Sequence, residues 1–206
     1  NLYMQDYGGP IGLRIASRRP ELIHSLIIQN ANAYKEGLGS QLAPLTGYFE
    51  NPNIQNEEKV RFFLTLEATK WQYTFGSGDA NKINPDSYIT DQYYLDRKGN
   101  DEIQLALFRD YGNNYLKYDE WHSYFRTHQP AALIIWGKND PMFILPGAVA
   151  YQKDLPDAAI VQLDGGHCLL EEHHQQVAAL INRFILPSHG LSSTAENTVD
   201  NIAAVP

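Results

Sequence analysis

The apolar positions of this chain fall into blocks whose period changes twice. Leu2-Tyr-Met-Gln5 reads as the end of a strand that runs into Asp6, Gly8 and Gly9. From about Pro10 to Arg18, Ile11, Leu13, Ile15 and Ala16 supply the apolar faces of a helix, which Arg18-Arg-Pro20 closes. Residues 24–31 hold a Leu26-Ile-Ile28 run, the signature of a buried strand in a parallel sheet. Two strands around one helix make a βαβ unit. From Asn32 to Thr127 the period becomes helical and broken. Val60, Phe63, Leu64 and Ala68 share one stripe, and Asn-Pro and Gly-Ser-Gly turns interrupt the pattern. Strand character returns at Ala131–Gly137 and Ala159–Leu163, with a helix expected at about Gly147–Asp154 between them. Val177, Leu180, Ile181 and Phe184 then lie at i, i+3, i+4 and i+7, one apolar stripe of a last helix.

These blocks predict an α/β fold with a mostly parallel sheet. Its core comprises residues 1–31 and 128–186, and a mainly helical insertion spans 32–127. Ten of the thirteen tyrosines fall in that insertion, with Trp71 and Trp121. Residues 187–206, rich in Ser, Thr, Asn and Ala with little to bury, are expected to form a disordered tail. There are no internal repeats.

Composition narrows the function classes. The chain has 206 residues, 43% of them hydrophobic and 19% charged, ordinary values for a globular protein. A net charge of −8 argues against nucleic acid or an anionic membrane surface as partner. No apolar run reaches the ~20 residues of a membrane helix. A single cysteine, Cys168, excludes an internal disulfide framework and favours a reducing compartment, so the expected location is the cytoplasm.

The candidate chemistry sits where strands end. Asp6 occupies the turn between a strand and a helix that opens with Gly8-Gly-Pro10. That arrangement is the geometry of a nucleophile elbow, with backbone N–H groups and a helix N-terminus beneath the side chain. Taken alone, Asp6 reads more readily as a helix cap. Asp140 follows the strand ending Ile134-Ile-Trp-Gly137, and Asp140-Pro141 alone is an ordinary turn initiator. His167 follows Gly165-Gly166 and alone is a loop histidine. All three lie at carboxyl ends of parallel strands, so they can share one crevice, in the order nucleophile, acid, histidine. Their joint occurrence reverses the three separate readings. His24, His122, His128, His173, His174 and His189 lack that context and read as surface residues, so no metal site is expected.

Met4-Gln-Asp-Tyr-Gly-Gly-Pro-Ile-Gly12, Trp136-Gly-Lys-Asn-Asp-Pro141 and Gly165-Gly-His167 resemble the α/β-hydrolase superfamily, in its haloalkane dehalogenase and epoxide hydrolase branch. The resemblance spans nearly all of the chain except the tail and implies that segment 32–127 is a cap over the active site. It implies Asp6 as nucleophile, His167 as base, Asp140 as the acid that orients it, and the Tyr7 backbone N–H as an oxyanion donor. It also points to Tyr111, with Tyr115 and Trp71, as cap residues that contact substrate. Met4 and Tyr7 depart from the commonest family pattern. The family's first strands, and the loop carrying a second oxyanion donor, would precede Asn1, so the chain taken alone is expected to be a poor catalyst. No cofactor is implied, only a small apolar organic substrate and water. Tyr7 in place of a ring N–H donor favours an epoxide over a halide, with dehalogenation the alternative. A truncated, non-catalytic relative is the rival of a different class.

Overall fold

Both Leu-Ile-Ile runs become central strands. The structure, a computed structural model, describes residues 1–186, so the expected tail lies outside the described residues. Strands β1 (Leu2–Gln5), β2 (Ser25–Gln29), β3 (Ala131–Gly137) and β4 (Ala159–Leu163) form one parallel sheet in the order β1-β2-β3-β4. Met4 pairs with Ile28, Ile28 with Ile134, and Ile134 with Ile160.

The two-residue period of the strands divides the core in two. Leu26, Ile28, Ala132, Ile134 and Trp136 face one way, towards Leu13 and Ala16 of helix α1 (Gly8–Arg18) and Trp121 and Phe125 of helix α8 (Tyr118–His128). Ile27, Leu133 and Ile135 face the other way. There they meet Val177, with Leu180, Ile181 and Phe184 packed alongside, on helix α10 (Leu170–Ile185). The expected stripe of the last helix is the stripe that packs. A βαβ sheet covered on both faces is what near-continuous apolar strands require.

Between β2 and β3 the chain is mainly helical. Helices α2 (Ala43–Glu50), α3 (Ile54–Arg61), α4 (Leu66–Thr74), α5 (Pro85–Leu95), α6 (Asn100–Asp110) and α7 (Gly112–Tyr115) precede α8. Asn53, Thr65 and Asn84 cap α3, α4 and α5 by accepting backbone N–H groups. Helix α8 lies against α1, with the Arg14 guanidinium 5.6 Å from the Trp121 ring and Ser17 donating to Glu120. The α4–α5 turn touches the loop after β3 and the first turn of α10. Asn139 donates to Gly76 O at 2.9 Å, and Glu172 accepts Gly78 N–H at 2.9 Å.

Two details differ from the sequence reading. The helix expected at 147–154 begins earlier, as α9 (Leu145–Ala150), and tightens into a 3₁₀ turn at Tyr151–Lys153, because Pro146 suits a first helical turn. His122 is not a surface residue. It is half-buried, hydrogen-bonded to Ala33 O at 2.8 Å and stacked on Tyr34 at 4.1 Å, and a phenol ring covers its apolar face. His173 is also half-buried, at a kink in α10. His189 lies outside the described residues.

Candidate active site

The elbow is strained where the sequence turns most sharply. Asp6 has φ of +45°, a left-handed conformation uncommon for a residue with a Cβ and frequent at functional turns. Its carbonyl accepts Gly9 N–H at 2.9 Å, so α1 starts directly beneath it. A Cβ on Gly9 would come within 2.8 Å of Ala31 Cβ, and one on Gly12 within 2.9 Å of Met4 Sδ. Glycine at these two positions lets α1 close onto β1 and onto the chain after β2.

Asp6, Asp140 and His167 come together at the carboxyl edge of the sheet. His167 Nδ1 lies 2.8 Å from Asp140 Oδ2, and Nε2 lies 3.8 Å from Asp6 Oδ1. The Asp140 carboxylate is buried and held on every side. Oδ1 accepts Met142 and Phe143 N–H at 2.8 and 3.0 Å, and Oδ2 accepts Asn30 Nδ2 at 2.8 Å besides His167. A carboxylate so fixed sets the plane and tautomer of the imidazole it meets.

Asn30 was not singled out in the sequence, and it ties the site together. It has φ of +41°, and its Oδ1 accepts Gly137 N–H at 3.0 Å while Nδ2 donates to Asp140. Its backbone carbonyl accepts Asp6 N–H at 3.3 Å. One buried amide therefore braces both the elbow and the acid.

Charge and burial act in opposite directions here. The Asp6 side chain is 39% exposed, but onto a recess within the protein, and burial raises its pKa above the ordinary aspartate value. The nearby His167 and the Tyr7 backbone N–H pull it back down. Burial alone would lower the His167 pKa. The charge of Asp140, the hydrogen bond to it and the charge of Asp6 outweigh that effect and push it up to about 9. Burial pushes the Cys168 thiol far up, so it stays protonated and is not a rival nucleophile.

A cavity of about 300 Å³ opens over Asp6. Its apolar wall includes Leu42, Leu45, Phe63, Phe108, Met142 and Phe143, and its polar wall is drawn from α4, α5 and α6. Tyr7 and Tyr111 also line it, with rings edge-to-face at 5.5 Å. Burial, with nearby phenols and Asp6, holds the Tyr111 hydroxyl protonated, and the Tyr7 hydroxyl is buried without a hydrogen-bond partner among the described residues. His167 stands behind Asp6 and Phe143 and does not line the cavity.

The other two cap residues expected at substrate lie elsewhere. Trp71 turns onto Phe75, with rings 5.2 Å apart, and Tyr115 packs between Phe49, Tyr111 and Tyr118. Neither reaches the cavity wall, because each side chain leaves its helix on the face that packs against the core. Among the described residues no three His, Cys, Asp or Glu side chains are placed to hold a metal ion, and no helix is long and apolar enough to cross a membrane.

This architecture has counterparts in known proteins. The chain is 33% identical to an uncharacterized hydrolase of Saccharomyces cerevisiae, YNR064C, over 86% of this chain and 62% of that protein. It is 26% identical to a cis-3-alkyl-4-alkyloxetan-2-one decarboxylase of Shewanella oneidensis, over 98% of this chain and 64% of that protein. The chain thus spans less than two thirds of the length of both relatives. Among solved structures, a variant of haloalkane dehalogenase DatA from Agrobacterium tumefaciens superposes with a TM-score of 0.69. It shares 19% identity over 88% of this chain and 65% of that one, a likeness of fold. A family model described as alpha/beta hydrolase fold matches residues 1–174, and the chain belongs to that family.

Proposed function

We propose that this protein opens epoxides through a covalent ester on Asp6 and releases diols. A carboxylate is ionised at neutral pH and needs no base to become a nucleophile. Asp6 attacks an epoxide carbon, the carbon–oxygen bond breaks, and the Tyr111 phenol gives its proton to the departing alkoxide. His167 then takes a proton from water as the water oxygen attacks the ester carbonyl. The Tyr7 N–H holds the oxyanion until it collapses to carboxylate and diol. The proton on His167 returns to Tyr111 through solvent, so the sum is epoxide plus water giving diol.

The elbow charge also times the base. Esterification of Asp6 removes one of the two carboxylate charges that raise the His167 pKa. The imidazole becomes a better neutral base once there is an ester to hydrolyse.

The observation that carries the epoxide reading is the Tyr111 phenol, held protonated in the same cavity as Asp6. None of Trp71, Trp121 and Trp136 lines the cavity, so no indole N–H is offered to a departing halide. A strained oxygen ring is also the substrate that the Shewanella relative's name gives it. The test offers styrene oxide and 1-bromobutane side by side, following diol and bromide. Diol formation that falls at least ~10²-fold in Tyr111→Phe supports the reading, on the scale of lost general-acid catalysis. Bromide release without diol, or diol formation indifferent to Tyr111→Phe, overturns it.

A further inference from the structure

The cavity over Asp6 has a second, polar wall that the proposed bond chemistry does not use. Helices α4, α5 and α6 contribute Gln72, Tyr73, Asp91 and Gln104 to it. Tyr73 donates its hydroxyl to Asp91 Oδ2 at 2.5 Å, which fixes the carboxylate at the exposed cap end of the cavity. Asp91 Oδ1, Gln72 and Gln104 make no side-chain hydrogen bond among the described residues. Among the described residues no Lys, Arg or His lines the cavity, so its two charged side chains there, Asp6 and Asp91, are both acidic. Glu171, on the adjoining turn of α10, adds a negative charge beside Tyr73, while Lys70 Nζ lies 5.9 Å from the Tyr88 ring that packs on Tyr73. A recess with walls of one sign concentrates ligands of the other.

We infer that Asp91 is a specificity-determining residue that selects substrates with an ammonium group at the end remote from the reacting carbon, and against carboxylates. The inference rests on the proposed function only in taking this cavity as the substrate site. The apolar wall takes the chain next to the reacting carbon. Asp91, held by Tyr73, meets the cation, and the two glutamines complete its hydrogen bonds.

The test uses unreactive probes of one shape and opposite charge, hexylammonium and hexanoate, titrated into the protein by calorimetry at pH 7. The ammonium should bind about fivefold more tightly than the carboxylate, the scale of an ion pair open to solvent. Asp91→Asn should remove most of that ratio, and Asp91→Glu should keep it. Equal affinities, binding of neither probe, or a ratio unchanged in Asp91→Asn would overturn the inference. Styrene oxide turnover is measured separately. Its absence would count against the reaction and leave the charge preference readable, whereas flat affinities beside normal diol formation would count against the charge preference alone.

Discussion

Asn30 shows how much one buried amide can hold. Its side chain satisfies one oxygen of Asp140 and the Gly137 N–H, and its carbonyl receives the Asp6 N–H. Asn30→Ala leaves a buried carboxylate short of one donor and a buried N–H without an acceptor, each worth about 1–3 kcal/mol. Turnover should fall about 10–100-fold in a protein that still folds, read as kcat beside a thermal melt. His167 makes the second prediction at this scale. Asp6 must be ionised to attack, and its raised pKa moves the acid limb of kcat/KM above the ordinary aspartate range, about 3.9. In kcat, governed by the ester, His167 must be neutral. The limb should rise through a pKa below the resting value of about 9, since Asp6 no longer carries charge. A pH–rate profile in which both parameters share one limb at the usual aspartate value would contradict this. Asp6, Asp140 and His167 were legible in the sequence because each follows an apolar strand into a glycine or proline turn. Asn30 was not, since an asparagine after a strand is ordinary turn chemistry and its role depends on contacts 107 and 110 residues away.

At the scale of elements, the site depends on how closely α1 meets the strands. Gly9 leaves no room for a methyl group beside Ala31, whereas Gly47 in α2 has nothing within 4 Å of a built Cβ. Gly9→Ala should therefore lower stability by about 1–3 kcal/mol through overpacking and shift the elbow. Gly47→Ala should raise it by up to about 1 kcal/mol, since alanine suits an open helix position better. Chemical denaturation of the two variants should move in opposite directions, and similar shifts would refute the packing argument. Strand runs and the stripe of α10 could be read because periods of 2 and 3.6 survive in a linear text. The facing of cap aromatics could not. Trp71 belongs to a helix with weak amphipathic contrast and Tyr115 to one of four residues, and only the packed structure shows that their rings turn to Phe75 and Phe49 while Tyr111 turns to the cavity. The polar wall was hidden for the same reason, because Gln72, Asp91 and Gln104 come from three separate helices.

For the whole molecule, the buried charge cluster links the site to stability. The folded pKa of His167, about 9, exceeds its unfolded value near 6.5, so this group stabilises the fold fully below pH ~6.5. That stabilisation is lost as pH rises through 9. The thermal midpoint should thus decline between pH 6.5 and 9 more steeply in the natural chain than in His167→Gln, and parallel slopes would show that His167 does not supply the linkage. The same cluster is the basis of the central claim, a covalent ester on Asp6 that only His167 can clear. The most direct measurement is the intact mass of His167→Gln after mixing with styrene oxide, followed by peptide mapping. A gain of one epoxide mass is expected, carried by the peptide holding Asp6 and absent from Asp6→Asn. An unmodified mass with diol still released at the natural rate would contradict it.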